Sequence, residues 1–470
     1  MKILLINPPD LNTLVGNNPE IIESERGYNP PLGLLYLASY IKEFTQHDVK
    51  VLDTQVEELN FDQIKQEIQD YNPDVVGMTT MSFTISDCLT VAELAKEVNK
   101  EIKVVFGGPH PHIFPKETIN LPNVDFLTIG EGESTIVDFI ENIDDKEKLK
   151  QVPGLIFKHN EEIIQTPLPP LIEDLDKIPF PNRTLTNYKK YTSLLAKRSP
   201  ITTMITSRGC PYKCIFCDRP HLGKVFRARS AENVIKEIEE CVNLGIKEIL
   251  IYDDTFTIDR QRAIDICDEL IKRKYDITFD IRARVNTVDL DLLKKLKKAG
   301  CERIHFGVES GNQDVLNKLR KGITLEQVRH AFKLTKKAGI STLGYFMIGS
   351  PTETKETVMQ TINFAKSINC DFAHFTITTP FPSTDLYREG LANGIIKRDY
   401  WREFAENPTK DFKPPFWEEN LNRDELIELV KLAYKKFYSR PFYLVKRLFK
   451  IRSFQELKRK TRAGIKVLRL

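Results

Sequence analysis

An α/β fold of two successive parallel-sheet domains, followed by a helical C-terminal extension, is predicted by three features of this 470-residue chain. Short runs rich in Val, Ile and Leu recur, apolar at odd and even positions alike, as strands buried on both faces must be. Amphipathic stretches separate them, so helices cover the sheets. A proline-rich break divides the alternating pattern in two, and the chain is in any case too long for one ordinary core.

The first series occupies 1–148. Its strand candidates are Lys2–Asn7, Val49–Asp53, Val75–Thr79, Lys103–Gly108 and Phe126–Gly130, and its helix candidates are Leu32–Glu43, Asp62–Tyr71 and Ile85–Asn99. This reads as a doubly wound, Rossmann-like domain, which binds ligands at the carboxyl ends of its strands. From 149 to 200, prolines at 153, 167, 169, 170, 179, 181 and 200 predict an extended linker in which no helix persists. The second series, 201–382, has strand candidates Thr202–Ser207, Glu248–Asp253, Ile277–Arg282, Arg303–Val308, Ser341–Ile348 and Phe372–Thr378. Helix patterns at Ala231–Leu244, Arg260–Lys274, Leu290–Ala299, Leu325–Ala338 and Lys355–Ser367 lie between them. Six such units make an open, partial (β/α)6 TIM-type barrel rather than the full eight-unit form. The segment 383–470 is aromatic and basic and reads as helices packed on the barrel.

Hydrophobic residues make up 41% of the chain and charged residues 29%, the balance of a folded soluble protein. The start, Met1–Asp10, has one Lys and a short apolar run broken by two prolines, too brief for a signal peptide. No segment approaches the ~18 uninterrupted apolar residues of a membrane span. A cytoplasmic protein is expected. The net charge of +3 is uneven, because Pro441–Leu470 holds ten Lys/Arg and one acid, Glu456, leaving the rest of the chain negative. Such a tail can meet anionic lipid or nucleic acid, or be a solvated helix face.

Eight cysteines occur, at 88, 210, 214, 217, 241, 267, 301 and 370. Cys210, Cys214 and Cys217 are clustered directly after the first strand candidate of the second domain. Thiolates are the ligands of iron–sulfur clusters, and one loop at this spacing can wrap three corners of a cube, leaving one iron open for a substrate. Structural zinc wants four ligands, usually as two spaced pairs, and no second Cys/His pair follows. Cys241, Cys267, Cys301 and Cys370 lie within helix or strand patterns and read as small core residues.

The stretch Ser207–Cys217, SRGCPYKCIFC, resembles the signature of radical S-adenosylmethionine (SAM) enzymes, and the resemblance continues at Tyr252–Phe256, Gly307–Asn312 and Ile348–Thr354. It covers Thr202 to about Tyr387. It implies a [4Fe–4S] cluster on Cys210, Cys214 and Cys217, with SAM chelating the open iron and cleaved to a 5′-deoxyadenosyl radical. The cofactors carry the hard chemistry, and the protein supplies orientation and exclusion of water. Phe216 is expected against the adenine. Asp253 and Asp254 end the second barrel strand, where they could meet SAM or substrate, although Asp254 could equally cap a helix. Glu309 and Ser310 resemble the family's ribose or methionine contacts. Gly349 and Pro351 would let the backbone approach SAM, with turn geometry the alternative.

The first domain resembles the cobalamin-binding domain that precedes the barrel in one large subfamily, on Asn7–Pro9, Pro30–Ile41, Phe106–His112 and Ile129–Glu133. The resemblance implies a cobalamin site drawing on Thr79, Thr80, Ser82, Gly107, Gly108, Glu131 and Glu133. None of the eight His lies in the Asp-x-His-x-x-Gly context that ligates cobalt in methionine-synthase-type domains, so cobalamin without a protein His ligand is expected. The methylthiotransferase branch fits less well, because only Cys88 precedes residue 200.

The activity implied is cobalamin-dependent C-methylation of an unactivated carbon, on a small molecule of lipid or tetrapyrrole kind. A cobalamin-dependent radical cyclase or rearrangement enzyme is the alternative within the family, and a non-catalytic iron–sulfur electron relay the alternative outside it. A flavodoxin- or ferredoxin-type protein would be the one-electron reductant. No nucleic-acid partner is expected. Phe442–Phe454 mixes aromatics with Lys and Arg in the manner of membrane-surface helices, which predicts peripheral membrane contact.

Overall fold

The apolar run after Met1 forms a strand, β1 (Lys2–Asn7), whose two faces feed two separate cores. Leu4 and Ile6 pack on one side with Ile64, Ile68 and Val91, whereas Ile3 and Leu5 pack on the other with Leu35, Ile41 and Phe139. The computed structural model that shows this describes residues 1–14, 27–217 and 223–448. Strands β2 (Asp48–Asp53), β3 (Val75–Thr79), β4 (Lys103–Gly107) and β5 (Phe126–Thr128) run parallel to β1, in the order β2-β1-β3-β4-β5. The order reverses between β1 and β3, so a crevice opens beyond their carboxyl ends. Helices Leu32–Phe44, Phe61–Tyr71 and Ile85–Val98 cover the sheet. The second is started by a reciprocal pair: Asn60 accepts from the Gln63 N–H, and Gln63 accepts from the Asn60 N–H.

The linker expected over 149–200 is in part a hairpin. β6 (Leu155–His159) and β7 (Glu162–Gln165) pair antiparallel and extend the first sheet beyond β5. Asn160 and Glu161 turn at φ 50° and 66°, the left-handed pair that a tight hairpin needs. Pro153 and Pro167 flank the strands rather than interrupt them, so the prolines are compatible with pairing. The rest of the segment straps the two sheets together. The Asn182 N–H donates to Ser39 Oγ at 2.8 Å, Arg183 Nε donates to Thr202 Oγ1 at 2.8 Å, and the Tyr191 hydroxyl donates to Asp53 at 2.7 Å.

The second sheet begins at β8 (Ile201–Met204). β9 (Ser207–Arg208) and β10 (Arg227–Ala228) form a short antiparallel ribbon beside it. β11 (Glu248–Ile251), β12 (Thr278–Ala283), β13 (Cys301–Glu309), β14 (Ser341–Ile348) and β15 (Phe372–Ile377) then follow β8 in sequence order, all parallel. This is the open six-stranded barrel the alternation predicted. The expected strand Thr202–Ser207 breaks after Met204, because Thr206 and Ser207 turn to bond Asp253. Elsewhere boundaries differ by a residue or two, where strand and helix ends fray. Ile249, Ile281, Ile304, Phe306, Phe346 and Phe375 face the outer helices and share one core with them.

The C-terminal extension packs on both domains, not on the barrel alone. Trp401 and Phe404, on the helix Tyr400–Glu406, join the first domain's core. The helix Arg423–Tyr438 lies along β15, where the Tyr434 hydroxyl accepts from the Phe375 N–H at 3.2 Å and the Tyr438 hydroxyl from the Ala373 N–H at 3.1 Å. Among the described residues, no helix is long and apolar enough to cross a membrane. Of the basic segment 442–454, residues 449–454 lie outside the described residues.

Candidate functional site

The cysteine loop leaves β9 at the carboxyl end of the barrel. Its entry is a tight turn: Gly209 has φ +79°, and a Cβ there would stand 2.1 Å from the Val225 carbonyl oxygen. The loop is pinned at Ile215, whose N–H donates to the Leu319 carbonyl at 3.2 Å and whose carbonyl accepts from the Leu386 N–H at 2.9 Å. Cys210 is buried, and Cys214 and Cys217 are half-buried. Arg284, at the end of β12, has Nη1 3.7 Å from Cys214 Sγ, Nη2 on the Lys321 carbonyl, and its plane 3.7 Å from the Tyr212 ring centroid. Sequence reasoning missed this arginine, although its place one residue past a barrel strand was the available signal. Three thiols on one loop, with a fixed cation beside one of them, suit a cluster that loads negative charge on its sulfur ligands. Among the described residues, no three His, Cys, Asp or Glu side chains converge as a site for a single metal ion.

The other expected SAM contacts separate into two groups. Phe216 and Glu309 border the loop. Glu309 ends β13 at φ +69°, a strained conformation for a residue with a Cβ, and it pairs with Lys321 at 2.7 Å. Lys321 Nζ in turn lies 5.7 Å from the Phe216 ring centroid. Gly307 makes room for this pair, since a Cβ there would meet Glu309 Oε1 at 2.5 Å and Lys321 Nζ at 2.8 Å. Asp254 is half-buried beside Asp253 at the end of β11.

The remaining four are engaged within the protein. Asp253 is buried and accepts four hydrogen bonds, from the N–H and hydroxyl of Thr206 at 2.6 and 2.5 Å and of Ser207 at 3.1 and 2.7 Å. That fills its oxygens, so it braces the start of the cysteine loop rather than meeting SAM. Ser310 is fully buried with Oγ 3.1 Å from Thr361 Oγ1, so it anchors the strand end on an outer helix. The Gly349–Pro351 turn is covered by the protein itself: a Cβ at Gly349 would stand 2.4 Å from Leu426 Cδ2. Its amides at Gly349 and Ser350 donate to the Glu353 carboxylate at 2.7 and 3.0 Å. Burial, partly offset by these bonds, pushes Glu353 up to about 7.

In the first domain, Thr79 ends β3, and Thr80 and Ser82 follow it at the switch point. Ser82 Oγ lies 2.9 Å from His110 Nδ1, and His110 was not singled out in the sequence. His110 is fully buried, and burial drops its pKa to about 3, so the ring is neutral. Its Nε2 is buried and has no hydrogen-bond partner among the described residues. A buried polar atom without a partner carries a cost, and a cofactor amide at the crevice is one way to relieve it. The crevice therefore fits a cofactor rich in amides, such as cobalamin. Gly107 and Gly108 have local reasons to be glycine: a Cβ at Gly107 would meet Thr128 Oγ1 at 2.7 Å, and Gly108 has φ +100°.

Glu131 and Glu133 do not face that crevice as free acids. Arg208 Nη1 and Nη2 bind Glu131 at 2.8 Å and Glu133 at 2.5 Å, and Arg227 Nη1 binds Glu131 at 2.7 Å. Burial raises the Glu131 pKa, but the Arg227 and Arg208 guanidiniums more than offset it and hold the carboxyl below the ordinary range. The cobalamin role expected for these two acids is replaced by an ionic clamp. Arg208 and Arg227 are the facing residues of the β9–β10 ribbon, so the clamp joins the first sheet to the base of the cysteine loop.

Comparison with known proteins bears on this pairing of sites. The model of the radical SAM superfamily matches residues 204–365, and that of the B12 binding domain matches residues 21–140. An uncharacterized methyltransferase of Pyrococcus horikoshii is 38% identical over 97% of this chain and 96% of its own length. The chain belongs to the radical SAM enzymes that carry a B12-binding domain. Another relative in this family, the anaerobic magnesium-protoporphyrin IX monomethyl ester cyclase of Rubrivivax gelatinosus, is 31% identical over 88% of this chain and 75% of its own. The solved structure of the cobalamin-dependent SAM radical enzyme OxsB superposes with a TM-score of 0.75 at 20% identity, covering 99% of this chain and 71% of that one. The radical SAM methyltransferase TsrM of Kitasatospora setae gives 0.68 at 17% identity, covering 84% and 77%. Both have the same fold. As a radical SAM enzyme with a B12-binding domain, the protein works with a [4Fe–4S] cluster, SAM and cobalamin, and draws its electron from an external reductant.

Proposed function

We propose that this enzyme methylates an unactivated carbon of a small organic molecule, in a chamber between the cysteine loop and the crevice after β3. The observation that carries the proposal is the Arg208–Glu131–Arg227 clamp, which fixes the first sheet against the loop that would hold the cluster. Two cofactor sites can serve one substrate only if their separation is held, and a buried ionic joint holds it.

When bound, the cofactors supply reductive SAM cleavage, hydrogen abstraction and delivery of a methyl group to carbon. The chain's own residues do the placing. Cys210, Cys214 and Cys217 hold the cluster, and Arg284 balances charge at Cys214. Phe216 offers a face to the adenine. Glu309, held by Lys321, presents its carboxylate beside that ring. Ser82 and neutral His110 receive the cobalamin side chains, with Thr79 and Thr80 on the same loop.

Of the two substrate classes, the tetrapyrrole is favoured by the Rubrivivax relative, whose name gives a magnesium-protoporphyrin IX ester as its substrate. The cyclase reading draws on the 31% identical Rubrivivax relative.

The test uses full-length protein reconstituted anaerobically with iron, sulfide and hydroxocobalamin, then given SAM, dithionite and candidate acceptors. Methylation is expected to yield 5′-deoxyadenosine together with S-adenosylhomocysteine. The nucleoside without S-adenosylhomocysteine would turn the reading to cyclisation. Neither product from a protein with an intact cluster would turn it to electron relay.

A further inference from the structure

The inner face of the barrel is polar where a hydrocarbon pocket would be apolar. Ile281, Ile304, Phe346 and Phe375 point outward to the helices, so their neighbours Arg282, His305, Tyr345 and His374 point inward. The register sets Arg282 beside His305 and Tyr345 beside His374. Most of this wall is matched within itself. His305 Nδ1 lies 3.1 Å from the Tyr345 hydroxyl and its Nε2 3.2 Å from Asp280, which also pairs with Arg303 at 3.2 Å. His374 Nδ1 lies 3.5 Å from the Tyr434 hydroxyl. Burial lowers both imidazoles, His374 to about 4, so neither carries charge near neutrality.

Arg282 is the exception. Its guanidinium lies 4.0 Å from the Tyr252 ring centroid and makes no hydrogen bond or ion pair among the described residues. The buried Arg183, Arg208 and Arg229 each face a glutamate, whereas Arg282 is half-buried without one. Stacking on Tyr252 occupies the plane of the guanidinium and leaves its N–H edge, a fork matched to two oxygens of one anion, directed into the barrel. An unpaired cation in a confined, partly desolvated space is costly, and an arriving anion removes that cost. Two residues on, the same strand face carries Arg284 against Cys214, so the anion would sit one row beneath the cysteine loop.

We propose that Arg282 anchors the substrate through an oxyanion, a carboxylate or a phosphate, and so sets which carbon lies beneath the loop. The proposal rests on the barrel mouth being the reaction site. It makes the substrate an anionic molecule and excludes a neutral hydrocarbon.

The test is phenylglyoxal labelling of the full-length reconstituted protein, read at each arginine by peptide mass spectrometry. Labelling is run alone and with sodium phosphate, sodium benzoate or SAM. Arg282 should be labelled, and at least one anion should slow its labelling by roughly tenfold, the scale of one charge-assisted bidentate contact. Exposed Arg398 should be unaffected. Protection by phosphate alone assigns a phosphate, by benzoate alone a carboxylate, and by both a general oxyanion site. Absence of labelling, absence of protection by either anion, or protection by SAM as strong as by an anion would overturn the proposal. Nucleoside formation without anion protection would sink this inference and leave the methylation reading intact; protection without nucleoside would do the reverse.

Discussion

Arg208 Nη1 and Glu131 Oε1 stand 2.8 Å apart across the boundary between the two sheets, both side chains buried. Removing the acid takes away the one carboxylate that the buried Arg208 and Arg227 guanidiniums share. Glu131→Ala should therefore cost about 3–5 kcal/mol, seen as a lower thermal midpoint and faster proteolysis within 149–200. The double change Glu131→Met with Arg208→Leu should cost less than the sum of its parts.

The same carboxyl sets an acid limit. Its folded pKa lies below the ordinary 4.5, so its contribution is fully present above that value and is lost as pH falls through the folded pKa. The wild-type thermal midpoint should drop on acidification below about pH 4.5, and Glu131→Gln should flatten that limb.

Glu353 has the opposite sign. Its folded pKa is raised from 4.5 to about 7, so the folded state binds a proton more tightly than the unfolded chain between those values. Stability should decline as pH rises through that window. Glu353→Gln, which keeps an acceptor for the Gly349 and Ser350 amides, should remove the decline. A thermal scan series from about pH 5 to 8 checks it.

Alanine at Cys210, Cys214 or Cys217 should each lower bound iron and bleach the cluster absorbance in anaerobically reconstituted protein. Alanine at Cys241 or Cys267 should leave iron unchanged, because these thiols are buried in helices and burial pushes both up to about 12. Iron loss in the second set would contradict the ligand assignment.

Gly307→Ala would drive a Cβ into the Glu309–Lys321 pair. SAM affinity should fall roughly tenfold, the equivalent of one charged hydrogen bond, with iron content retained. Equilibrium dialysis with labelled SAM separates the two effects. Loss of iron instead would place the pair in support of the cluster loop.

His110→Ala should reduce bound cobalamin, followed by its visible spectrum, while the iron count stays constant. Ser82→Ala should act in the same direction and more weakly, since it removes only the partner of Nδ1.

Much of this architecture is written locally. Strands such as Lys2–Asn7 and Ser341–Ile348 announce themselves because both faces are buried and every position is constrained. The cysteine loop is legible because its three thiols lie within eight residues. What escaped was set by distant partners. Glu131 and Glu133 look like free acids until Arg208, about 75 residues on, is folded against them. Ser310 directly follows Glu309, but the strained turn at Glu309 sends Ser310 to the helix layer. The hairpin at Leu155–Gln165 was hidden by prolines that flank it, and the docking of Trp401 on the first domain has no signature in its own segment.

The hydroxyls of Tyr434 and Tyr438 occupy two amides of β15 that an open barrel would otherwise present to solvent. A sheet that never closes on itself is ordinarily an invitation for a second molecule to add its own strand and begin a filament. Here the invitation is withdrawn by two side chains, so the chain can keep one flank of its barrel open without that flank seeding aggregation. A form of the protein lacking the helix Arg423–Tyr438 should therefore precipitate as its concentration rises.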